Sequence, residues 1–175
     1  EKQLEIVDKI EQFQKVIDGA EQVIQNFSPI IEIEDISNLV EIGEICSLMT
    51  GGTPSKNEKK YYDPGEIKWL VSGDIHAVEI YDCEGRISKL GLENSNAKFL
   101  PENSVLIALN GQGKTRGSVA ILRTQATCNQ SLVSIMPNKS DEILTEYLYL
   151  CLKNKYKEIG EITGDKERSG LNMPT

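Results

Sequence analysis

A chain of 175 residues is long enough for one domain with its own core plus an appendage. Hydrophobic residues make up 39% and charged residues 26%, which excludes a disordered chain, and no apolar run reaches the length needed to span a bilayer. The net charge of −8 argues against a nucleic-acid partner only until its distribution is read. Residues 1–35 hold nine acids against three lysines, whereas residues 98–130 set Lys98, Lys114, Arg116 and Arg123 against Glu102 alone. A locally basic face on an acidic chain is therefore compatible with the composition. Cys46, Cys83, Cys128 and Cys151 lie far apart with no paired spacing, and the acidic start, Glu1 to Glu5, is no signal or transit peptide. Both features predict a reduced, cytoplasmic chain.

Residues 1–29 form the first segment. Ile6, Ile10, Phe13, Ile17, Ala20, Ile24 and Phe27 recur at spacings of four and three, a heptad seam that predicts one long helix able to pair with another. Val7, Val16 and Val23 widen the stripe, as packing on the chain's own domain or in a larger bundle would require. The pattern is already running at residue 1 without a capping residue, so the helix is expected to be cut from a longer one. Pro29 ends it, because proline cannot continue the hydrogen-bond ladder.

Residues 30–39 read as an acidic linker, and residues 40–175 as a mixed domain. Val40–Ile42 is expected to open it as a strand, with a second strand running into Met49-Thr50. Gly51 to Asn57 is a loop forced by its glycines and proline. Ile67 to Val71 is a strand ending in Ser72-Gly-Asp74, and the signals between Val78 and Leu92 are mixed. Val105–Leu109 and Val119–Leu122 are short apolar runs around a glycine-rich turn, predicting two buried strands joined by an exposed loop. Thr127 to Pro137 predicts one more strand, Ile143–Leu152 a helix, and the residues after Tyr156 a polar tail.

Few catalytic arrangements survive inspection. Gly113-Lys114-Thr115 suggests a phosphate-binding P-loop, but position 108 is alanine where that motif needs glycine, and a strand pattern follows Gly117 where it needs a helix. Asp63 and Glu66 before Lys68 faintly resemble a metal-nuclease pattern, yet both carboxylates fall within one turn. His76 is the only histidine, and no cysteine pair offers a zinc site. No catalytic residue, metal ligand or cofactor is assigned. Polar, glycine-bearing loops remain, at Gly51–Asn57, Ser72–Asp74, Asn110–Gly117 and Lys166–Asn172. Their cations can neutralise phosphates, and their amides and hydroxyls can position a duplex or read base edges. Solvated turns would look the same.

The order of these pieces resembles the target-recognition domains of type I restriction–modification specificity (S) subunits. The resemblance is carried by Gly51-Gly-Thr-Pro-Ser55, Ile67-Lys-Trp69, Ser72-Gly-Asp74-Ile75, Gly91-Leu, Ser95-Asn-Ala97-Lys98, Pro101 and Ser104-Val-Leu-Ile107. It continues through Gly111-x-Gly-Lys114, Val119-Ala-Ile121, Cys128-Asn-Gln130, Tyr147-Leu148 and Gly170-Leu-Asn172. The leading helix, with Phe13 to Ala20, is similar to that family's spacer helix. The resemblance implies a binding module that reads double-stranded DNA for modification (methyltransferase) and restriction subunits, which would carry the catalysis. One recognition domain and one helix imply a half-subunit or fragment, completed by a second copy or a second half-subunit through the long helix. The C-terminal region of a fused adenine methyltransferase–specificity protein has the same plan, and an assembly module acting through its helix is a third reading.

The expected fold is α+β, a twisted and mostly antiparallel sheet domain with a few helices plus the long N-terminal helix. The expected DNA-contacting residues are Gly51, Gly52, Thr53, Ser55, Lys56, Asn110, Gly111, Gln112, Gly113, Lys114, Thr115, Arg116 and Arg168. Lys114 and its glycines come from the resemblance, while the others are placed by loop position and chemistry.

Overall fold

The computed structural model describes residues 2–26, 39–109, 115–139, 142–156 and 158–159. The chain divides into two compact units, residues 1–30 and 31–175.

In the first unit, helix α1 (Lys2–Asn26) is one uninterrupted element, as the spacing predicts. Local pairs stiffen it: the Gln14 amide donates to Asp18 Oδ1 at 2.8 Å, and Lys9 lies 4.0 Å from Glu5. The seam residues Ile6, Ile10, Phe13, Ile17 and Ile24 are all exposed, as are Val7, Val16 and Val23. Phe27 lies outside the described residues.

Among the described residues the second unit holds nine strands. They are β1 (Cys46–Thr50), β2 (Ile67–Leu70), β3 (Glu79–Ile80), β4 (Arg86–Ile87), β5 (Phe99–Leu100), β6 (Val105–Ala108), β7 (Val119–Leu122), β8 (Ala126–Cys128) and β9 (Leu132–Pro137). The expected α+β class holds, and the pairing is mostly antiparallel. The strands form two sheets, ordered β1-β9-β6-β7-β3 and β4-β2-β8-β5. Two pairs are parallel, β3 with β7 and β2 with β8.

Alternation along the central strands explains their continuous apolar sequence. Val105 and Ile107 of β6 join Ile121, Val133 and Ile135 in one core, while Leu106 and Ala108 join Ala120, Leu122 and Leu132 in another. The first core is closed by helix α4 (Thr145–Asn154) through Leu148, Tyr149 and Leu152. The second is closed by Leu70, Leu100, Ala126 and Cys128 of the four-stranded sheet. The five-stranded sheet is thus the middle of three layers, so β6 needs apolar residues on both faces.

Two expectations are corrected. Val40–Ile42 is not a strand: β1 begins only at Cys46, opposite Pro137, and Ile42–Ile45 closes instead into a short helix, α2. Without a neighbouring strand, the Glu44 N–H turns back to Glu41 O at 3.0 Å. Thr127–Pro137 is two strands in different sheets, separated by a turn in which Asn129 Oδ1 accepts from the Ser131 N–H at 2.9 Å. The mixed stretch after Val78 resolves into β3, β4 and helix α3 (Lys89–Glu93), whose N-cap Ser88 accepts from the Gly91 N–H at 3.1 Å.

Candidate nucleic-acid interface

Strand register brings separate loops to one end of the domain. Thr50 closes β1 opposite Val133, and Leu132 opens β9 opposite Ala108, the last residue of β6. The loop leaving β1, the Asn129–Ser131 turn and the β6–β7 connection therefore emerge side by side. Beyond the strands, the Leu109 N–H donates to Ser131 O at 2.9 Å, and the Thr50 hydroxyl to Leu132 O at 2.8 Å. Because β2 runs parallel to β8, the Ser72–Asp74 turn leaves from the same end, where the Asn129 N–H donates to Leu70 O at 2.9 Å.

The Gly51–Ser55 loop is fastened at several points. Trp69 Nε1 donates to Gly52 O at 3.0 Å, the Tyr62 hydroxyl to Pro54 O at 2.6 Å and the Thr53 hydroxyl to Gln130 Oε1 at 2.8 Å. Tyr62 and Trp69 meet edge to face, with centroids 6.2 Å apart. Gly51 and Gly52 are buried. A Cβ on Gly51 would stand 1.9 Å from Cys128 O, and one on Gly52 2.8 Å from the Asn96 backbone. Both glycines let three chain segments close on each other, which a side chain at either position would prevent. Burial pushes the Cys128 thiol up to about 12, so it stays protonated and serves as packing.

An open depression of about 540 Å³ lies where these segments meet. Its described walls are Gly51, Gly52, Thr53 and Ser55 from the first loop, Asn94, Ser95 and Asn96 from the turn after α3, and Gln130. Ser55, Asn94, Asn96 and Gln130 are exposed, as are Lys56 and Lys98 close by in sequence. Asn94, Asn96 and Gln130 are absent from the residues expected at DNA. The first two follow a helix too short to be read from periodicity; Asn96 lies inside the Ser95–Lys98 motif of the resemblance, and only amide chemistry in a turn signalled Asn94.

In the β6–β7 connection, Asn110, Gly111, Gln112, Gly113 and Lys114 lie outside the described residues, as does Arg168. Thr115 and Arg116 are half-buried. The strand ladder extends into the loop, with the Ala108 N–H donating to Ser118 O at 3.0 Å and the Gly117 N–H to Ala108 O at 2.9 Å. Gly117 has φ +78°, and a Cβ there would meet the Tyr156 ring at 3.4 Å. The loop base is therefore seated against the chain just after α4.

Arg123 belongs elsewhere, at the opposite end of the five-stranded sheet. Its guanidinium reaches Glu79 Oε1 at 2.8 Å, Glu146 Oε1 at 2.6 Å and Asn103 Oδ1 at 2.8 Å. Counting it toward a basic DNA-facing surface is thus corrected: two carboxylates occupy it. Hydrogen bonds from Tyr81 and then Arg123 hold Glu79 below the usual carboxylate range, and the Arg123 hydrogen bond does the same for Glu146. Lys68 is likewise engaged, donating to Tyr81 O and Thr124 Oγ1, both at 2.8 Å. Glu66 lies 3.5 Å from Lys89. Among the described residues, no cluster of three His, Cys, Asp or Glu side chains could hold a metal ion.

Three comparisons relate the chain to known proteins. It is 29% identical over 120 residues to the Type I restriction enzyme EcoR124I/EcoR124II specificity subunit of Escherichia coli, covering 67% of this chain and 29% of that one. The HsdS subunit from Thermoanaerobacter tengcongensis superposes with a TM-score of 0.57 at 16% identity, over 93% of this chain and 40% of that one. The S subunit of a type I restriction–modification system from M. genitalium does so with a TM-score of 0.53 at 16% identity, over 77% and 30%. At that identity the solved structures establish a shared fold alone. The chain spans less than half the length of each of these proteins. The family model described as "Type I restriction modification DNA specificity domain" matches residues 35–175, so the chain belongs to that family.

Proposed function

We propose that residues 40–175 recognise a specific sequence in double-stranded DNA, as part of the specificity subunit of a type I restriction–modification system. The observation that carries this reading is the convergence of the β1 exit loop, the Ser72–Asp74 turn, the β6–β7 loop and the Asn129–Ser131 turn at one end of two sheets. Loops on a rigid frame are where binding residues concentrate. Thr53, Ser55, Lys56, Thr115 and Arg116 are our contact residues among those described. Asn110, Gly111, Gln112, Gly113, Lys114 and Arg168 join them on sequence grounds, and Gly51 and Gly52 hold their loop in place. Methyltransferase and restriction subunits supply the catalysis, the recognition module needs no cofactor, and it works in the cytoplasm. The test is selection from randomised duplexes by the full chain with its methyltransferase subunit. One enriched half-site is the expected result, and an unenriched pool from a verified complex refutes the reading.

The exposed apolar seam of α1 supports a second role. Ile6, Ile10, Phe13, Ile17, Ala20, Ile24 and Phe27 pair with the helix of a second copy or a second half-subunit, which spaces two recognition domains along DNA. Replacing Ile10 and Ile17 together by glutamate should convert a sized dimer or complex to monomer. An unchanged size removes the seam from assembly.

A further inference from the structure

The depression between the Gly51–Ser55 loop, the Asn94–Asn96 turn and Gln130 has a specific hydrogen-bonding character that the DNA-recognition reading does not supply. We propose that it is a base-reading site, with its carboxamides taking the edge of a base pair while Lys56 and Lys98 meet flanking phosphates. This rests on the recognition of duplex DNA argued above.

Its described walls carry no charged side chain, only amides, hydroxyls and backbone. A phosphate oxygen only accepts hydrogen bonds, so a phosphate site needs donors, and an amide oxygen facing it is unfavourable. Each amide spends only part of its capacity inside the protein. Asn94 Nδ2 donates one of its two N–H groups to Leu90 O at 2.9 Å, which leaves Oδ1 as an acceptor and a second N–H. Gln130 Oε1 accepts from the Thr53 hydroxyl at 2.8 Å, which leaves the Nε2 donors and a second lone pair on the oxygen. Walls that offer both an acceptor and a donor complement an edge that sets an exocyclic amino group beside an acceptor, as base pairs do in the major groove.

The fixed geometry strengthens this assignment. Discrimination requires that the reading groups already hold their orientation. Gln130 is held by Thr53, whose loop is pinned by Trp69 and Tyr62, and Asn94 is tied back to the helix before it. The cations stand just outside the walls, Lys56 next to Ser55 and Lys98 two residues beyond Asn96, both exposed. Neutral groups in the floor and lysines outside it divide base contact from phosphate contact.

The experiment uses the full chain with its methyltransferase subunit and a pool of randomised duplexes with constant flanks. The wild type is selected first and its enriched sequence recorded. Asn94→Ala, the isosteric Gln130→Glu and Thr53→Val are then compared, each checked for an unchanged melting transition. Asn94→Ala and Gln130→Glu should relax or switch preference at one or two adjacent positions and weaken the best duplex by about five- to 150-fold. For Asn94→Ala the dependence of affinity on salt should be unchanged, whereas Gln130→Glu adds a negative charge and is read by base preference alone. Thr53→Val keeps both amides and should retain the preferred base with a smaller loss. Equal weakening of all duplexes by Asn94→Ala, with a shallower salt dependence, would mark a phosphate site and overturn the proposal. So would unchanged preference and affinity in both amide variants. If the wild type enriches nothing, the DNA-recognition reading fails and takes this one with it. Enrichment by the wild type with indifferent variants sinks the base-reading site alone.

Discussion

The two ends of the five-stranded sheet are held together by different means. At one end Gly51 and Gly52 let backbone segments touch, and the walls of the depression there are amides, hydroxyls and backbone, with Lys56 and Lys98 close by in sequence. At the other end Arg123 gathers Glu79, Glu146 and Asn103, so that its charge is spent within the molecule. The contrast separates charge that supports the fold from chemistry left over for a partner. A surface framed by close backbone contact keeps part of its polar capacity for a partner.

The comparison breaks most visibly at Gly51. Gly51→Ala forces a Cβ against Cys128 O, and should cost about 3 kcal/mol or more in urea unfolding, at the upper end of overpacking. Gly73→Ala, where an added Cβ meets nothing within 4 Å, should leave the unfolding midpoint within about 0.5 kcal/mol of wild type. Equal costs at both positions would deny that close packing holds the site end.

At the charged end, Arg123→Ala should lower the melting temperature by roughly 3–5 °C near neutral pH. It should also flatten the acid limb of stability. Glu79 and Glu146 titrate below their ordinary range when folded, so the stability they confer is present above the unfolded carboxylate pKa of about 4.3 and drains away as pH falls through their lower folded values. Melting curves between neutral pH and pH 3 should show a steeper decline in wild type than in Arg123→Ala. DNA affinity of the variant at neutral pH should match wild type, since the cluster faces away from the loops.

Smaller effects sharpen the contrast. Lys56→Ala and Lys98→Ala should each weaken binding a few-fold on every duplex and reduce the logarithmic salt slope by about 0.9, without changing the preferred sequence. Titrations at several salt concentrations decide this. Ser134, buried in β9 with no hydrogen-bond partner for its hydroxyl among the described residues, should be neutral or slightly stabilising as Ser134→Ala, within about 1 kcal/mol by denaturant melt.

What could be read from the residues follows the same division. The heptad of α1, the β6–β7 pair and the strand at Ile67–Leu70 were legible because each rests on local periodicity or on a run between turn residues. The switch of sheets at Asn129–Ser131 was not, since β8 and β9 are both nearly all buried, Thr127 and Ser134 included, and only their partners tell them apart. The candidate loops were picked out as glycine-bearing and polar, but that the Gly51–Ser55 loop and the Ser72–Asp74 turn share one end depends on strand order, a long-range property. Arg123 shows the same limit: its partners lie at positions 79, 103 and 146, far away in sequence.

The close contacts at Gly51 and Gly52 also bear on how such a surface could be redesigned. A library aimed at new targets gains nothing from varying the two glycines, Trp69 or Tyr62, because almost every replacement there removes the frame itself. Diversity belongs at Ser55, Lys56, Asn94 and Asn96, whose side chains end in solvent and whose backbone the frame already holds. The loop thus separates into an invariant hinge-plate and a few exchangeable teeth, and the number of teeth limits how many base pairs one such surface can distinguish.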